Sequence, residues 1–399
     1  MTFSEPSSRI KVLFLPRWYP SRTDPMPGLF IMRHAQAVSI LADVAVIYVQ
    51  SIADLQDRYE LETTSENGLF TIRTYYRSSK GIQGWYAGFH FIVAFIKAFR
   101  LMKQEFGKPD IVHVHVLTRL GIVAWLYKLT TGIPYIITEH WSRYLPTVGT
   151  YRGFWRKLAT RIVVKQAAAI TTVTKNLRDA MLSHGLENKN YQIVQNVVDT
   201  KLFHPQEFQV QGSLKQFVHI SCFEDRSKNI SGLLRAIAQL SANRDDFECR
   251  LIGEGEDLKR MQKYADEIGL LGKTVYFNGL LEGRNLATAV REATFLVLFS
   301  NYENMPVVIN EAFASGIPVV ATRVGGIVEH VDESKGKLVD AGDEQGLALA
   351  LSQMLDTYQT YDRKIIREYA LEHFSNAAIA ERFNTVYKAV LSKTKHSGR

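Results

Sequence analysis

The chain is poor in several things, and each shortage excludes a class of protein. It has two cysteines, Cys222 and Cys249, so no disulfide framework can staple it, and a cytoplasmic, reducing setting is expected. No stretch reaches the roughly 18 continuous apolar residues that a bilayer span requires. The nearest, "GWYAGFHFIVAFIKAFRLM" at 84–102, is broken by His90, Lys97 and Arg100. No secretory leader stands out, because the first apolar run, "IKVLFLP", ends directly in Pro16 and Arg17. Low-complexity segments and tight internal repeats are lacking. No nucleic-acid-binding motif accompanies the basic charge, so no nucleic acid is expected as a partner.

What is there is a well-packed globular chain. Hydrophobic residues make up 46% of 399, too many residues for one ordinary core, which points to two domains of roughly 200 residues each. The net charge of +8 is uneven: residues 1–200 carry 24 Lys and Arg against 14 Asp and Glu, and residues 201–399 carry 24 against 26. Any attraction for an anionic membrane or a lipid-phosphate acceptor therefore belongs to the N-terminal half.

Short β-branched runs alternate with longer helical patterns. In the first half, strands are expected at 10–15, 43–49, 70–75, 110–115, 134–138, 169–173 and 191–194, with helices at 29–41, 85–105, 119–131, 153–168 and 174–184. The second half restarts the pattern with strands near 216–221, 247–252, 274–278, 295–299 and 317–321. Its helices fall near 229–241, 256–268, 284–292, 306–315, 343–356 and 361–371. Such alternation means βαβ units and parallel sheets, here two doubly wound Rossmann-like domains of α/β class facing a cleft. The expected division is 1–200 and 201–374, with a polar junction at 196–216 containing Pro205 and Gly212. A last helix over 375–392, opened by Ser375, is expected to pack back on the first domain. In open parallel sheets ligands bind at the carboxyl ends of the strands, so the chemistry should lie there.

The stretch 300–326, "SNYENMPVVINEAFASGIPVVATRVGG", is strand end, loop and helix. Pro306 suits a first helical turn. Glu303 precedes the helix and Glu311 lies within it, so both are expected to look toward a cleft mouth. The free N–H groups near Met305–Val308, including Pro306 and Val307, make an anion site that needs no metal. Carboxylates beside a phosphate site suit vicinal sugar hydroxyls, which donate to them. A surface helix with acids near its start is the plainer account. His113 and His115 share a strand face and, with Glu139 and His140, imitate a metal site, but no metal is expected.

These motifs carry a resemblance. Glu303 and Glu311 in E-x7-E spacing, then "EAFASGIPVVATRVGGIVE", resemble the retaining GT-B glycosyltransferases of family 4, which include phosphatidylinositol mannosyltransferases and sucrose synthases. "VQNVVDTKLFHP", "CRLIGEGED", "VYFNGLL" and "IITEHW" are similar to further segments of that family, so the likeness runs from about 10 to about 390. The resemblance implies that Glu311 binds the ribose hydroxyls of a nucleotide sugar and that Glu303 sits at the donor sugar with His140. It implies that Lys228 neutralises the diphosphate, and that Asn278 and Gly279 line the base. Gly28 would let backbone approach the donor, and Asn304 would stand with Glu303 in the donor loop. The family's arginine is missing, since "HISCFEDRSK" has Cys222 there, and Arg226 is expected to supply the second cation.

The function so implied is transfer of a hexose-type sugar from a UDP- or GDP-linked donor, with retention, without cofactor or metal. The acceptor would be a glycan or lipid-linked molecule of bacterial surface polysaccharide or glycolipid synthesis. A peripheral seat on the inner face of the membrane would use 84–102, with "YYRSSK" before it. The alternatives are a nucleotide-sugar 2-epimerase of the same fold and a non-catalytic sugar-nucleotide-binding partner.

Overall fold

A computed structural model describes residues 9–77, 85–206 and 214–397. The first sheet grows from β1 (Lys11–Pro16), α1 (Leu29–Val38), β2 (Asp43–Ile52), β3 (Tyr59–Glu66), β4 (Leu69–Arg77) and α2 (Trp85–Glu105). It continues through β5 (Ile111–His115), α3 (Thr118–Thr131), β6 (Tyr135–Glu139), α4 (Phe154–Gln166), β7 (Ala169–Thr172), α5 (Lys175–Ser183) and β8 (Tyr191–Ile193). The strand order is β3-β4-β2-β1-β5-β6-β7-β8, parallel except where β3 meets β4. Every residue of β5 and β6 is buried, as expected of strands covered by helices on both faces.

The second sheet comprises β9 (Lys215–Ile220), α6 (Asp225–Lys228), α7 (Ile230–Ser241), β10 (Phe247–Ile252), α8 (Leu258–Glu267), β11 (Val275–Gly279) and α9 (Gly283–Glu292). It goes on through β12 (Leu296–Leu298), α10 (Val307–Ala314), β13 (Val319–Thr322), β14 (Gly336–Val339), α11 (Glu344–Thr357), α12 (Arg363–Phe374) and α13 (Asn376–Ser397). Its order is β11-β10-β9-β12-β13-β14, all parallel. Strand order reverses between β1 and β5 in one sheet and between β9 and β12 in the other. Those two switch points are where ligands are received in such sheets. The fold is thus the pair of Rossmann-like domains expected from the alternating pattern.

Two strands escaped the sequence pattern. β3 is an edge strand of sequence YELETTSE, mostly polar and with no buried residue, which lacks the apolar run used to find the others. The Asn67-Gly68 turn that joins it to β4, both residues at positive φ, was a legible hairpin signal. β14 is only GKLV, with a glycine whose Cβ would lie 2.1 Å from the Val319 carbonyl oxygen.

The junction also differs from expectation. Residues 196–206 do not form an exposed polar linker: Val197, Val198 and Phe203 are buried, and the Val198 N–H donates to the Phe374 carbonyl at 2.9 Å. Arg367 holds the same segment by donating to the carbonyls of Thr200 and Phe203. The rest of the expected linker, 207–213 with Gly212, lies outside the described residues.

α13 packs against α1, and its Ile379, Phe383, Val386 and Tyr387 belong to the apolar cluster that includes Val12, Phe14 and Ile31. Phe383 meets His113 edge-on at 5.0 Å. Phe383→Ala is expected to destabilise the chain by about 3–5 kcal/mol, the usual cost of emptying a buried phenylalanine site. Urea unfolding followed by circular dichroism measures it, and a loss under about 1 kcal/mol would show that α13 is not part of that core.

Candidate active site

The wall contributed by the second sheet is built around an ion pair. The Lys228 Nζ donates to Glu303 Oε1 at 2.5 Å, and Ser300 Oγ donates to the same oxygen at 2.9 Å. Burial alone would lower the lysine's pKa, but the charge of Glu303 and its hydrogen bond outweigh this and hold the ammonium above its ordinary value. The pair is placed by backbone ties between two loops. Asn301 N–H donates to Ser227 O at 2.8 Å, and its side-chain amide donates to Arg226 O at 3.0 Å. Gly325 and Gly326 lie directly against the Glu303 loop. A Cβ on Gly325 would sit 1.9 Å from the Glu303 carbonyl oxygen, and one on Gly326 2.1 Å from Thr174 Cγ2. The Gly-Gly pair is therefore required by packing.

α10 starts beside this pair. Pro306 occupies the cap position at φ −69°, ψ 123°, one residue before the helix rather than in its first turn. Among the described residues, the N–H groups of Met305, Val307 and Val308 find no acceptor, which leaves a helix-terminal anion site open. Glu311 is buried, not at a cleft mouth as expected, and accepts from Arg33 Nη1 of α1 at 3.0 Å. Burial raises its pKa and Arg33 opposes the rise.

The first sheet supplies a wall of neutral rings. Glu139, at the end of β6, is fully buried and accepts from the N–H groups of Leu117, His140 and Trp141, each at 2.9 Å. It therefore shapes the loop that presents His140 and does not imitate a metal ligand. His115 Nδ1 and His140 Nε2 share a hydrogen bond of 3.1 Å, and His34 bonds the Gln195 carbonyl at 2.9 Å. Ligand atoms of His34, His115 and His140 lie within 4.8 Å of one another. His113 is not in this group, because Tyr387 and Thr138 occupy both of its nitrogens. Burial depresses the pKa of all four rings.

The two walls touch. Asn304 accepts from Thr174 Oγ1 at 2.8 Å and donates to the His140 carbonyl at 3.0 Å. Glu329, the acid of the "GGIVE" segment, accepts from the Lys175 and Asn176 N–H groups at 2.9 and 2.8 Å and so caps α5 from across the cleft. One cleft pocket is lined by His140, Cys222, Lys228, Glu303, Asn304 and Met305. A wider concavity beside β14, lined by residues such as Asp332, Glu333 and Lys337, lies at a sheet edge away from both switch points and holds none of the expected site residues.

Some expected residues stand elsewhere. Arg226 is exposed and outside the pocket lining, because it sits on the outer side of the four-residue α6, whose last residue Lys228 turns inward. Lys228 is thus the cation of the pocket among the described residues. Gly28 has φ +79°, and its Cβ would meet the Trp18 carbonyl oxygen at 2.1 Å, so a turn and a backbone contact require it. Asn278 and Gly279 end β11, the edge strand opposite β14 in the second sheet, where the Gly253 N–H donates to Gly279 O at 2.8 Å. Arg33 and His34 were not singled out, since mid-helix charges on "FIMRHAQAV" look like a wet face; a carboxylate crossing from the other domain gives no sequence signal.

Comparison with known proteins agrees with the two-domain fold. Residues 43–202 match the family model described as Glycosyltransferase Family 4, and 201–373 match that described as Glycosyl transferases group 1. The chain is 25% identical over 299 residues to N-acetyl-alpha-D-glucosaminyl L-malate synthase of Bacillus anthracis, covering 72% of this chain and 76% of that one. It is 27% identical over 329 residues to MMP alpha-(1->4)-mannosyltransferase of Mycolicibacterium hassiacum, covering 77% and 78%. The structure of Anabaena HepE in complex with UDP superposes with a TM-score of 0.74 at 16% identity, over 95% of this chain and 100% of that one.

The buried rings make stability depend on pH. His34, His219 and His330 are held down to about 4, in each case first by burial. Unfolded imidazoles titrate near 6.5, so between about 6.5 and 4 the unfolded chain binds protons that the folded one refuses. Stability is therefore fully present above about pH 6.5 and lost as pH falls toward 4, by about 3 kcal/mol per ring. Urea midpoints measured from pH 7.5 down to 4.5 should fall steadily; midpoints that stay level would mean that these rings charge in the folded state.

Proposed function

Because the chain belongs to glycosyltransferase family 4, with the two-domain GT-B architecture, we propose that it moves a hexose-type sugar from a UDP- or GDP-linked donor to a glycan or lipid-linked acceptor, with retention and without a metal. The observation that carries the proposal is the buried Lys228–Glu303 pair beside the open N-terminus of α10, in a cleft between two sheet switch points. Among the described residues, Lys228 is the cation that lines this pocket, which suits it to a diphosphate and the sugar attached to it.

In this reading the diphosphate lies against Lys228 and the Met305–Val308 N–H groups. As the bond from anomeric carbon to phosphate oxygen breaks, negative charge grows on the leaving group, and these positive ends stabilise it without rearranging. The leaving oxygen takes the proton of the acceptor hydroxyl on the face where the acceptor attacks, which preserves the anomeric configuration. In this reading Glu303 is a binding residue and not a nucleophile, with its Oε1 held by both Lys228 and Ser300. It orients the ammonium and accepts from donor-sugar hydroxyls. His140, kept neutral by burial, hydrogen-bonds the sugar from the facing wall. Glu311 accepts from the ribose hydroxyls, with Arg33 sharing or surrendering the carboxylate when donor enters.

UDP and GDP, each titrated against the purified chain, should separate in effect, with one raising the melting temperature; at a hundredfold excess over Kd the gain is about 2.7 kcal/mol. Failure of every nucleotide and nucleotide sugar to shift melting would remove the reading. Glu311→Ala is expected to weaken donor binding by about 10- to 100-fold, the loss of charged hydrogen bonds, together with activity. Donor affinity unchanged in that variant would sink the ribose assignment.

A further inference from the structure

The helices on one side of the N-terminal sheet turn apolar side chains outward as well as inward. α2 and α3 are joined by stacked Phe99 and Tyr127 rings at 4.7 Å, and α3 meets α4 so closely that a Cβ on Gly121 would lie 2.7 Å from Val163 Cγ1. Each helix buries one face: Phe95, Ala98 and Met102 in α2, Leu120 and Ala124 in α3, Val163 and Val164 in α4. On the outer face of α3, Ile122, Leu126 and Leu129 recur at helical spacing and are exposed. At the start of α4 Phe154 is 72% exposed and Trp155 78%, and Leu158 continues the stripe. Phe89, Ile92 and Ile96 do the same on α2. A solvated helix normally places polar residues on that face, and a patch of this breadth marks an interaction surface.

Charge identifies what the surface meets. Residues 85–178 hold fourteen Lys and Arg against three Asp and Glu, a net of +11, while the rest of the chain holds 34 against 37, a net of −3. Glu139, one of the three acids, is buried, and α3 and α4 contain none. Arg119, Arg152, Arg156, Arg161 and Lys165 stand exposed around the apolar stripe. Between α2 and α3 lies a groove lined by Ile96, Phe99, Tyr127 and Ile133 and edged by Arg100, Lys103 and Lys108. A second copy of the chain would bring like charges together, and a neutral protein would leave them unmatched.

We propose that the outer face of α2, α3 and α4, led by Phe154 and Trp155, seats the protein on an anionic lipid bilayer. Aromatic and aliphatic tips enter the interface while the arginines and lysines meet the headgroups, the division of labour of interfacial helices. The stretch 84–102 expected from sequence is then one side of a wider seat whose centre lies on α4. The loop from His140 to Gly153 leads from the cleft to Phe154, so a seated molecule holds its cleft beside the lipid surface. Docking stands without the sugar-transfer reading; only the inference that a lipid-linked acceptor reaches the cleft rests on it.

The test sediments the full chain with vesicles of phosphatidylcholine alone and with about 30% phosphatidylglycerol added, at about 0.1 M salt. Binding is expected to the anionic vesicles and at least about tenfold less to the neutral ones. A Phe154→Ser, Trp155→Ser double variant should partition about tenfold less, while Leu349→Ser, 60% exposed on α11, should match the parent. Equal partition of the double variant and the parent overturns the proposal, as does a self-associating parent, seen by sedimentation velocity, that the double variant renders monomeric. The nucleotide-induced melting shift of the double variant is read in parallel, so failure to seat and failure to bind donor are told apart.

Discussion

The site depends on a lysine and a glutamate that have both been largely withdrawn from water. Removing a charge from solvent costs several kcal/mol, and the attraction between Lys228 and Glu303 offsets that cost only while both are held in register. The register comes from elsewhere: Asn301 fastens the loop before Glu303 to the end of α6, and Gly325 leaves the Glu303 carbonyl no side chain to avoid. A buried pair of this kind is weak evidence for stability. Its place in a cleft, beside unsatisfied N–H groups, makes sense as a charge kept in position for a ligand.

The facing wall is the electrical opposite, with imidazoles that burial keeps uncharged and an acid, Glu139, whose oxygens are spent on three backbone N–H groups. Val116 shows how firmly that wall is fixed. It holds φ +73°, unusual for a β-branched residue, while its N–H donates to Thr138 O and its neighbour's N–H donates to Glu139. One wall brings a lysine–glutamate pair and open N–H groups, and the other brings imidazoles that burial keeps neutral, with Arg33 reaching across to Glu311.

Much of this was legible in the sequence, because buried parallel strands are short apolar runs and helices show their period. The helices at 85–105 and 119–131, and the strand at 247–252, stand within a residue of where the pattern puts them. β3 was missed because an edge strand need not be apolar. In the site, Glu303, Lys228, His140, Asn304 and Met305 were found through the family resemblance and the helix start, and they do come together. Arg226 did not, since a separation of two residues from Lys228 on a one-turn helix decides which side chain turns inward. Arg33 was invisible for a different reason: its partner is 278 residues away, on the other domain.

The contacts between the domains are of two kinds, and they age differently under load. At the junction the largest apolar cluster runs without a break from Val198 and Phe203 into Met305 and Ile309. Across the cleft the ties are an amide, a carboxylate on a helix end and an arginine–glutamate pair. Water can take the place of each of these at little cost, whereas parting apolar surface cannot be so compensated. The apolar cluster at the junction is therefore the costlier contact to part, and the Glu329 carboxylate on the α5 N–H groups is one that water can replace.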